Sequence, residues 1–267
     1  MNGTRQSSVL LPDDLPGYRR ERIGNAHVIA RDEALPFVLE AIATAGTLYA
    51  YAGTCPEAEV IAGRGTVYLI PGPGPSRWVV RRLTHGGLLS PLTRDRFLRG
   101  GTPRPFNELY LGLKLQDRGI ATPGISAAVI YPSGPIYRGE VARDEIIDAL
   151  DLAACLFGES FNARQRLQAL AASGRLLGSL HRAGVVHPDL NLRNVLIKWS
   201  DEAARAYILD LEKCRIVPQV SRRRRERMLQ RFRRSARKFA KRTGKQISAV
   251  EWERFDAAYV EALGGST

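Results

Sequence analysis

Cysteine is scarce in this 267-residue chain. Cys55, Cys155 and Cys214 are widely separated and odd in number. They offer neither a disulfide framework nor metal-ligand spacing, which fits a reducing compartment. Histidine is nearly as rare, with four in all. No second pair stands at ligand spacing, so a zinc site built on His187 and Asp189 is not supported. No apolar run reaches membrane-spanning length, and Met1 to Arg22 is polar, without the apolar core of a signal peptide. A soluble or peripheral protein on the cytoplasmic side is expected. Internal repeats and low-complexity linkers are missing, which argues for one catalytic unit rather than independent domains. Also missing are a helix-turn-helix, a zinc finger and an aromatic-decorated sheet, so no nucleic-acid partner is expected.

What is present is enough apolar residue, 44%, for one substantial core, with mixed helical and strand signals that fit an α+β class. The richest segment is His187-Pro188-Asp189-Leu190-Asn191-Leu192-Arg193-Asn194, followed by a strand-like run ending in Ile208-Leu209-Asp210-Leu211-Glu212. An Asp and an Asn five residues apart on one loop, with a second Asp ending the next strand, are what a kinase-like phosphotransferase requires. One carboxylate orients the attacking hydroxyl and takes its proton, while the amide oxygen and second carboxylate hold magnesium on the nucleotide phosphates. As plain turn residues, Asp189 and Asn194 would not account for Asp210. His187 is read as shaping the loop through hydrogen bonds. Upstream, Leu170, Leu176, Leu177 and Leu180 can share one helical face, and Gly184 can end that helix. Val195–Ile197 and Ala206–Leu209 read as a hairpin that mounts Asp210 at a strand end.

The N-terminal half reads as a nucleotide-binding lobe. Around Gly63-Arg64-Gly65 the pattern is strand, glycine turn, strand, and Gly63 and Gly65 let backbone amides approach phosphates. Trp78–Leu83 is the third strand. Its cation is Arg81 or Arg82, with no lysine in range, and Glu108 on the helix Pro105–Leu115 is the natural partner. Arginine can serve both phosphate and carboxylate with its planar fork.

Taken together, the chain resembles the lipopolysaccharide kinase family over roughly Gly63 to Tyr259. The resemblance rests on Gly63-Arg64-Gly65, on Val80-Arg81-Arg82-Leu83-Thr84-His85-Gly86-Gly87, on Asp95-Arg96-Phe97, Arg104–Glu108 and Gly119–Pro123, and most on Leu180 to Asn194. Members carry an arginine near the third-strand position. Two departures stand out: Pro188 occupies the place of a small residue, and Asp210-Leu211-Glu212-Lys213 replaces Asp-Phe-Asp-Arg. The second makes Glu212 a further metal or structural carboxylate.

The resemblance implies a protein-kinase-like bilobal fold, with a β-rich nucleotide-binding region over 1–135 and a helical catalytic lobe over 136–267. It implies ATP- and Mg2+-dependent phosphorylation of a hydroxyl on the 3-deoxy-D-manno-octulosonic acid (Kdo) sugar of the lipid A–core precursor. Asp189 would be the base, Asn194 and Asp210 the metal ligands, and Arg81 with Glu108 the phosphate-setting pair. Asn191 would contribute a hydrogen bond inside the loop or to the transferring phosphoryl group. A heptose kinase of the same family shares the loop. Aminoglycoside or choline kinases also share it, but they take cationic substrates and would be expected to carry an acidic C-terminal lobe. A degenerate, non-catalytic member would lack one of the three groups.

The net charge of +13 is concentrated. Residues 222–245 hold thirteen Lys or Arg and one acid, Glu226, a local net of +12. Met228, Leu229, Phe232, Ala236, Phe239 and Ala240 recur at three- and four-residue steps within that tract. The stripe is expected to pack on the protein, and the cationic face either is solvated or meets the anionic cytoplasmic surface of the inner membrane or the substrate's phosphates. Glu251–Tyr259 is expected to form a final helix with Trp252, Phe255 and Tyr259 inward.

Overall fold

The computed structural model describes residues 15–61, 66–84, 95–200 and 203–264. The chain divides into two compact units, Met1–Tyr110 with Gly124–Glu145, and Leu111–Pro123 with Ile146–Thr267.

The first unit is built on an antiparallel sheet of β1 (Tyr18–Ile23), β2 (Ala26–Arg31), β3 (Glu59–Ile61), β4 (Val67–Pro71), β5 (Arg77–Arg82), β6 (Phe97–Leu98), β7 (Ile125–Ser133) and β8 (Ile136–Asp144). The strands run in the order β1-β2-β7-β8-β5-β4-β3, and β6 also pairs with β8. Helices α1 (Leu35–Ala45) and α2 (Leu48–Thr54) pack on one face. Leu35, Val38, Ile42, Leu48 and Ala52 meet Trp78, Val80, Val129 and Ala142 there in one apolar cluster. Among the described residues no single helix is long and apolar enough to cross a membrane.

The start of α2 is satisfied by Thr47 and by two buried polar groups, Tyr131 and Glu140. Thr47 Oγ1 accepts from the Ala50 amide, Tyr131 Oη from Leu48 and the Glu140 carboxylate from Tyr49. These acceptors answer the open N–H groups that begin any helix. Burial raises the pKa of Glu140, opposed by the hydrogen bonds it accepts from the Tyr49 amide and the Tyr131 hydroxyl and by the charge of Arg82.

Helix α3 (Arg104–Gln116) contributes its first half to this unit and its second half to the other. The second unit continues with β9 (Ala149–Asp151), α4 (Leu152–Phe157), α5 (Ala163–Arg182), β10 (Val185–Val186), a 3-10 turn at Leu192–Asn194, β11 (Val195–Trp199), β12 (Ala204–Ile208), β13 (Arg215–Ile216), α6 (Arg222–Thr243) and α7 (Ala249–Leu263). A three-stranded sheet runs β12-β11-β9, and β10 pairs with β13.

Helix α5 begins with a capping box, Asn162 with Gln165, and buries Leu170, Leu176, Leu177 and Leu180 on one side. Along α5, a Cβ at Gly174 would lie 2.3 Å from the Phe255 carbonyl, and one at Gly178 would lie 2.4 Å from that of Tyr259. Glycine therefore sets how closely α7 approaches α5. Phe255 and Tyr259 are buried and Trp252 packs against the core from its margin. The stripe on α6 also packs inward, with Met228, Phe232, Ala236 and Ala240 buried and Leu229 and Phe239 beside them.

Candidate active site

The catalytic-type loop is mounted at both ends. Gly184 takes a φ of 80° and its carbonyl accepts from the Val217 amide at 2.8 Å. A Cβ at Gly184 would lie 2.0 Å from the Val217 carbonyl, so only glycine fits. Two residues of β10 then lead into His187. At the far end, Asn194 passes directly into β11.

Inside the loop, the Asp189 carbonyl accepts two side-chain hydrogen bonds, from Asn191 Nδ2 at 2.7 Å and Asn194 Nδ2 at 2.9 Å. Only the nitrogen of an amide can donate, so the orientation of Asn194 is fixed and its Oδ1 is the end left to bind a cation. Asn191 Oδ1 accepts from the Arg193 amide and caps the 3-10 turn. The Asn191 hydrogen bond is thus made inside the loop. The Asn194 carbonyl accepts from the Leu209 amide at 2.9 Å, one step beyond the Val195–Ile208 pair of the hairpin. Asp210 follows at once, with a φ of 62°. Two linked hydrogen bonds therefore draw Asp189, Asn194 and the base of Asp210 together.

His187 ties the loop to that strand end. Its Nε2 lies 3.0 Å from the Leu209 carbonyl, which can only accept, so Nε2 carries the proton. The ring is buried, and burial lowers its pKa. Nδ1 has no partner among the described residues, which suits a neutral imidazole.

Helix α6 lies under the same loop. Met228 Sδ accepts from the His187 amide, Arg231 Nη1 lies 3.1 Å from Asp189 Oδ1, and Ser235 Oγ accepts from the Leu192 amide. Lys213 Nζ stands 3.6 Å from the other Asp189 oxygen, Oδ2. Asp189 itself is about half exposed, at 48% for the side chain. Glu212 is buried and its carboxylate lies 3.7 Å from Lys213. Neither Lys213 nor Arg231 was picked out from sequence. Lys213 follows Asp210 by three residues and was a readable signal; Arg231 lies 42 residues from Asp189 in a tract of like residues.

In the first unit, Arg81 and Arg82 point to opposite faces of β5, as a period of two requires. Arg81 pairs with Glu108 of α3 at 2.5 Å, and the Glu108 side chain is only 3% exposed. Arg82 faces α2 instead, over the Tyr49 ring and 3.6 Å from Glu140. Arg81 is therefore the strand cation that meets Glu108. Gly63, Gly65 and the His85-Gly86-Gly87 turn lie outside the described residues.

The donor types in the second unit are those that would suit a magnesium ion. Mg2+ prefers oxygen, keeps several waters and is held by one or two protein groups plus substrate phosphates. One amide oxygen at Asn194 and one carboxylate at Asp210 meet that description. Among the described residues, no group of three or more His, Cys, Asp or Glu side chains is placed to hold a metal alone.

The model of the lipopolysaccharide kinase (Kdo/WaaP) family matches residues 62–259. This chain belongs to that family. A 3-deoxy-D-manno-octulosonic acid kinase of Vibrio vulnificus is 31% identical over 57% of the chain. A kinase of the same name from Xanthomonas oryzae pv. oryzae is 30% identical over 76% of this chain and 78% of its own length. The chain spans 62% of the length of the Vibrio relative. Among solved structures, WaaP in complex with acyl carrier protein is similar with a TM-score of 0.51 and 18% identity, over 76% of this chain and 78% of that one. The fold is accordingly protein-kinase-like, of the α+β class anticipated from sequence.

Proposed function

We propose that this protein is an ATP-dependent sugar kinase that phosphorylates a hydroxyl on the Kdo sugar of a lipid A–core precursor, in lipopolysaccharide core biosynthesis. The observation that carries the reading is the hydrogen-bonded set of Asp189, Asn194 and the Leu209–Asp210 strand end, in a chain whose curated relatives are Kdo kinases. Asp189 holds the acceptor hydroxyl and takes its proton as the oxygen attacks the terminal phosphoryl group. Asn194 Oδ1 and the Asp210 carboxylate would hold Mg2+, which supplies charge neutralisation at the phosphates. Arg81, fixed by Glu108, is assigned to the nucleotide phosphates. Catalysis on this reading is positioning and electrostatics, without a covalent enzyme intermediate.

The test is incubation of the purified protein with ATP, Mg2+ and a Kdo-bearing lipid A precursor, beside a heptose-bearing one. Kdo-dependent phosphate incorporation is expected; transfer to the heptose acceptor alone would move the assignment within the family. Asp189→Ala should lower turnover by about 10²- to 10⁴-fold with the fold retained, the range general-base groups supply. Near-parental turnover in a folded variant would remove Asp189 as the base. Because the acceptor is lipid-anchored, the site of action is proposed to be the cytoplasmic face of the inner membrane. Recovery wholly in the soluble fraction of lysed cells at low ionic strength would contradict that.

A further inference from the structure

Helix α6 carries a row of cations that core packing does not explain. Arg223, Arg227, Arg231, Arg234, Lys238 and Lys241 recur at steps of three and four residues, and all six are exposed. They lie on the side of the helix away from buried Met228, Phe232, Ala236 and Ala240. Eighteen residues separate the ends of the row, a reach of about 27 Å at the helical rise.

Three cations of α6 outside the row are partnered. Arg222 pairs with Glu226, Arg233 with Asp256 and the Trp252 ring, and Arg242 covers Phe239. Within the row, Arg231 alone has an ion pair among the described residues, and its partner is Asp189. The arrangement works against the helix that bears it. Like charges three and four apart repel. The first turn holds no acidic residue, and its arginines oppose the helix dipole. A surface of mixed sign would keep the protein equally soluble. A local conflict of this kind marks a functional demand.

The middle of the row touches the catalytic carboxylate, so a group presented to Asp189 comes within reach of cations on both sides. We infer that this face of α6 is the acceptor-docking track, on which the carboxylate and phosphate groups of the acceptor lie while its hydroxyl is held at Asp189. This rests on the kinase reading above. An acceptor with several anionic groups within about 27 Å engages several cations at once, whereas a small neutral sugar engages none.

The decisive variant is Arg223/Arg227/Arg234/Lys238/Lys241→Gln, which leaves Arg231 and the loop intact. Glutamine keeps helix propensity and removes like-charge repulsion, so the fold should survive, as circular dichroism will check. A milder Arg227/Arg234→Gln variant gives a second reading should the larger one fail to fold. Binding of the Kdo-bearing lipid A precursor is measured in neutral detergent micelles without ATP, together with the KM values for acceptor and ATP. At least tenfold weaker acceptor binding and a matching rise in acceptor KM are expected, with the KM for ATP within twofold of the parent. Phosphatase treatment of the acceptor should weaken binding to the parent protein and take little further from the variant. Unchanged acceptor binding by the folded variants overturns the inference. So does a loss confined to phosphatidylglycerol vesicles, which would assign the face to a membrane surface, or one confined to an acidic carrier protein. A parent protein that binds the acceptor through the row but transfers no phosphate would strike the kinase reading and leave the docking track standing.

Discussion

At the scale of single residues, Asp210 is tightly constrained. A φ of 62° is left-handed backbone, which Asp and Asn tolerate better than other residues with a Cβ. Asp210→Asn therefore removes the charge while respecting the backbone, and isolates the metal-holding role proposed for it. The Mg2+ concentration for half-maximal turnover should rise on the order of tenfold or more, since a neutral oxygen replaces a carboxylate in a two-donor protein site. An unchanged Mg2+ dependence in titrations at fixed ATP would exclude Asp210 as a ligand. Asn194 has a different constraint. Its nitrogen is committed to the Asp189 carbonyl, so Asn194→Asp would set an acceptor against an acceptor. That change is expected to loosen the loop even though it adds a carboxylate.

At the scale of elements, α5 and α7 are in backbone-close contact through two glycines one helical turn apart. Gly174→Ala and Gly178→Ala would each drive a methyl into a carbonyl that a neighbouring helix cannot easily withdraw. Each should destabilise by about 1–3 kcal/mol, the usual cost of overpacking, although alanine favours the helix. Thermal or denaturant melts with a parental midpoint would show that α7 is free to shift. The leucine face of α5, the Val195–Ile208 hairpin and the packed stripe of α6 were all legible in sequence, because buried faces impose a period on apolar residues. Gly174 and Gly178 were not, since in a sequence they only weaken a helical signal. The strands β1 and β2 also went unread. Tyr-Arg-Arg-Glu-Arg-Ile at the sheet edge is exposed along its middle and has no alternation to detect. Asp189, Asn191 and Asn194 could be singled out from sequence because they sit in one short segment, and hydrogen bonds to the Asp189 carbonyl hold them together. Arg231 was hidden because its contact with Asp189 is created only by the packing of α6.

At the scale of the whole molecule, charge and burial meet in the response to acid. The chain carries +13, with +12 of it in residues 222–245. His181, on α5, is 4% exposed, and its Nδ1 lies 2.8 Å from the Tyr259 hydroxyl of α7. Burial, reinforced by the charge of Arg225, pushes its pKa from 6.5 down to about 4. Between those values the unfolded chain binds a proton that the folded chain refuses. The stability contributed by neutral His181 is therefore complete above about pH 6.5 and declines as pH falls toward 4, at roughly 1.4 kcal/mol per pH unit where only the unfolded form is protonated. A proton taken up there also enters a molecule already strongly positive, and added salt should offset part of that repulsion. The melting temperature should drop steadily from pH 7 to pH 4.5, and less steeply in His181→Gln, measured by circular dichroism at fixed ionic strength. A variant that loses stability with pH as steeply as the parent would mean that other groups set the acid response, and that the buried pair between α5 and α7 does not titrate in this window.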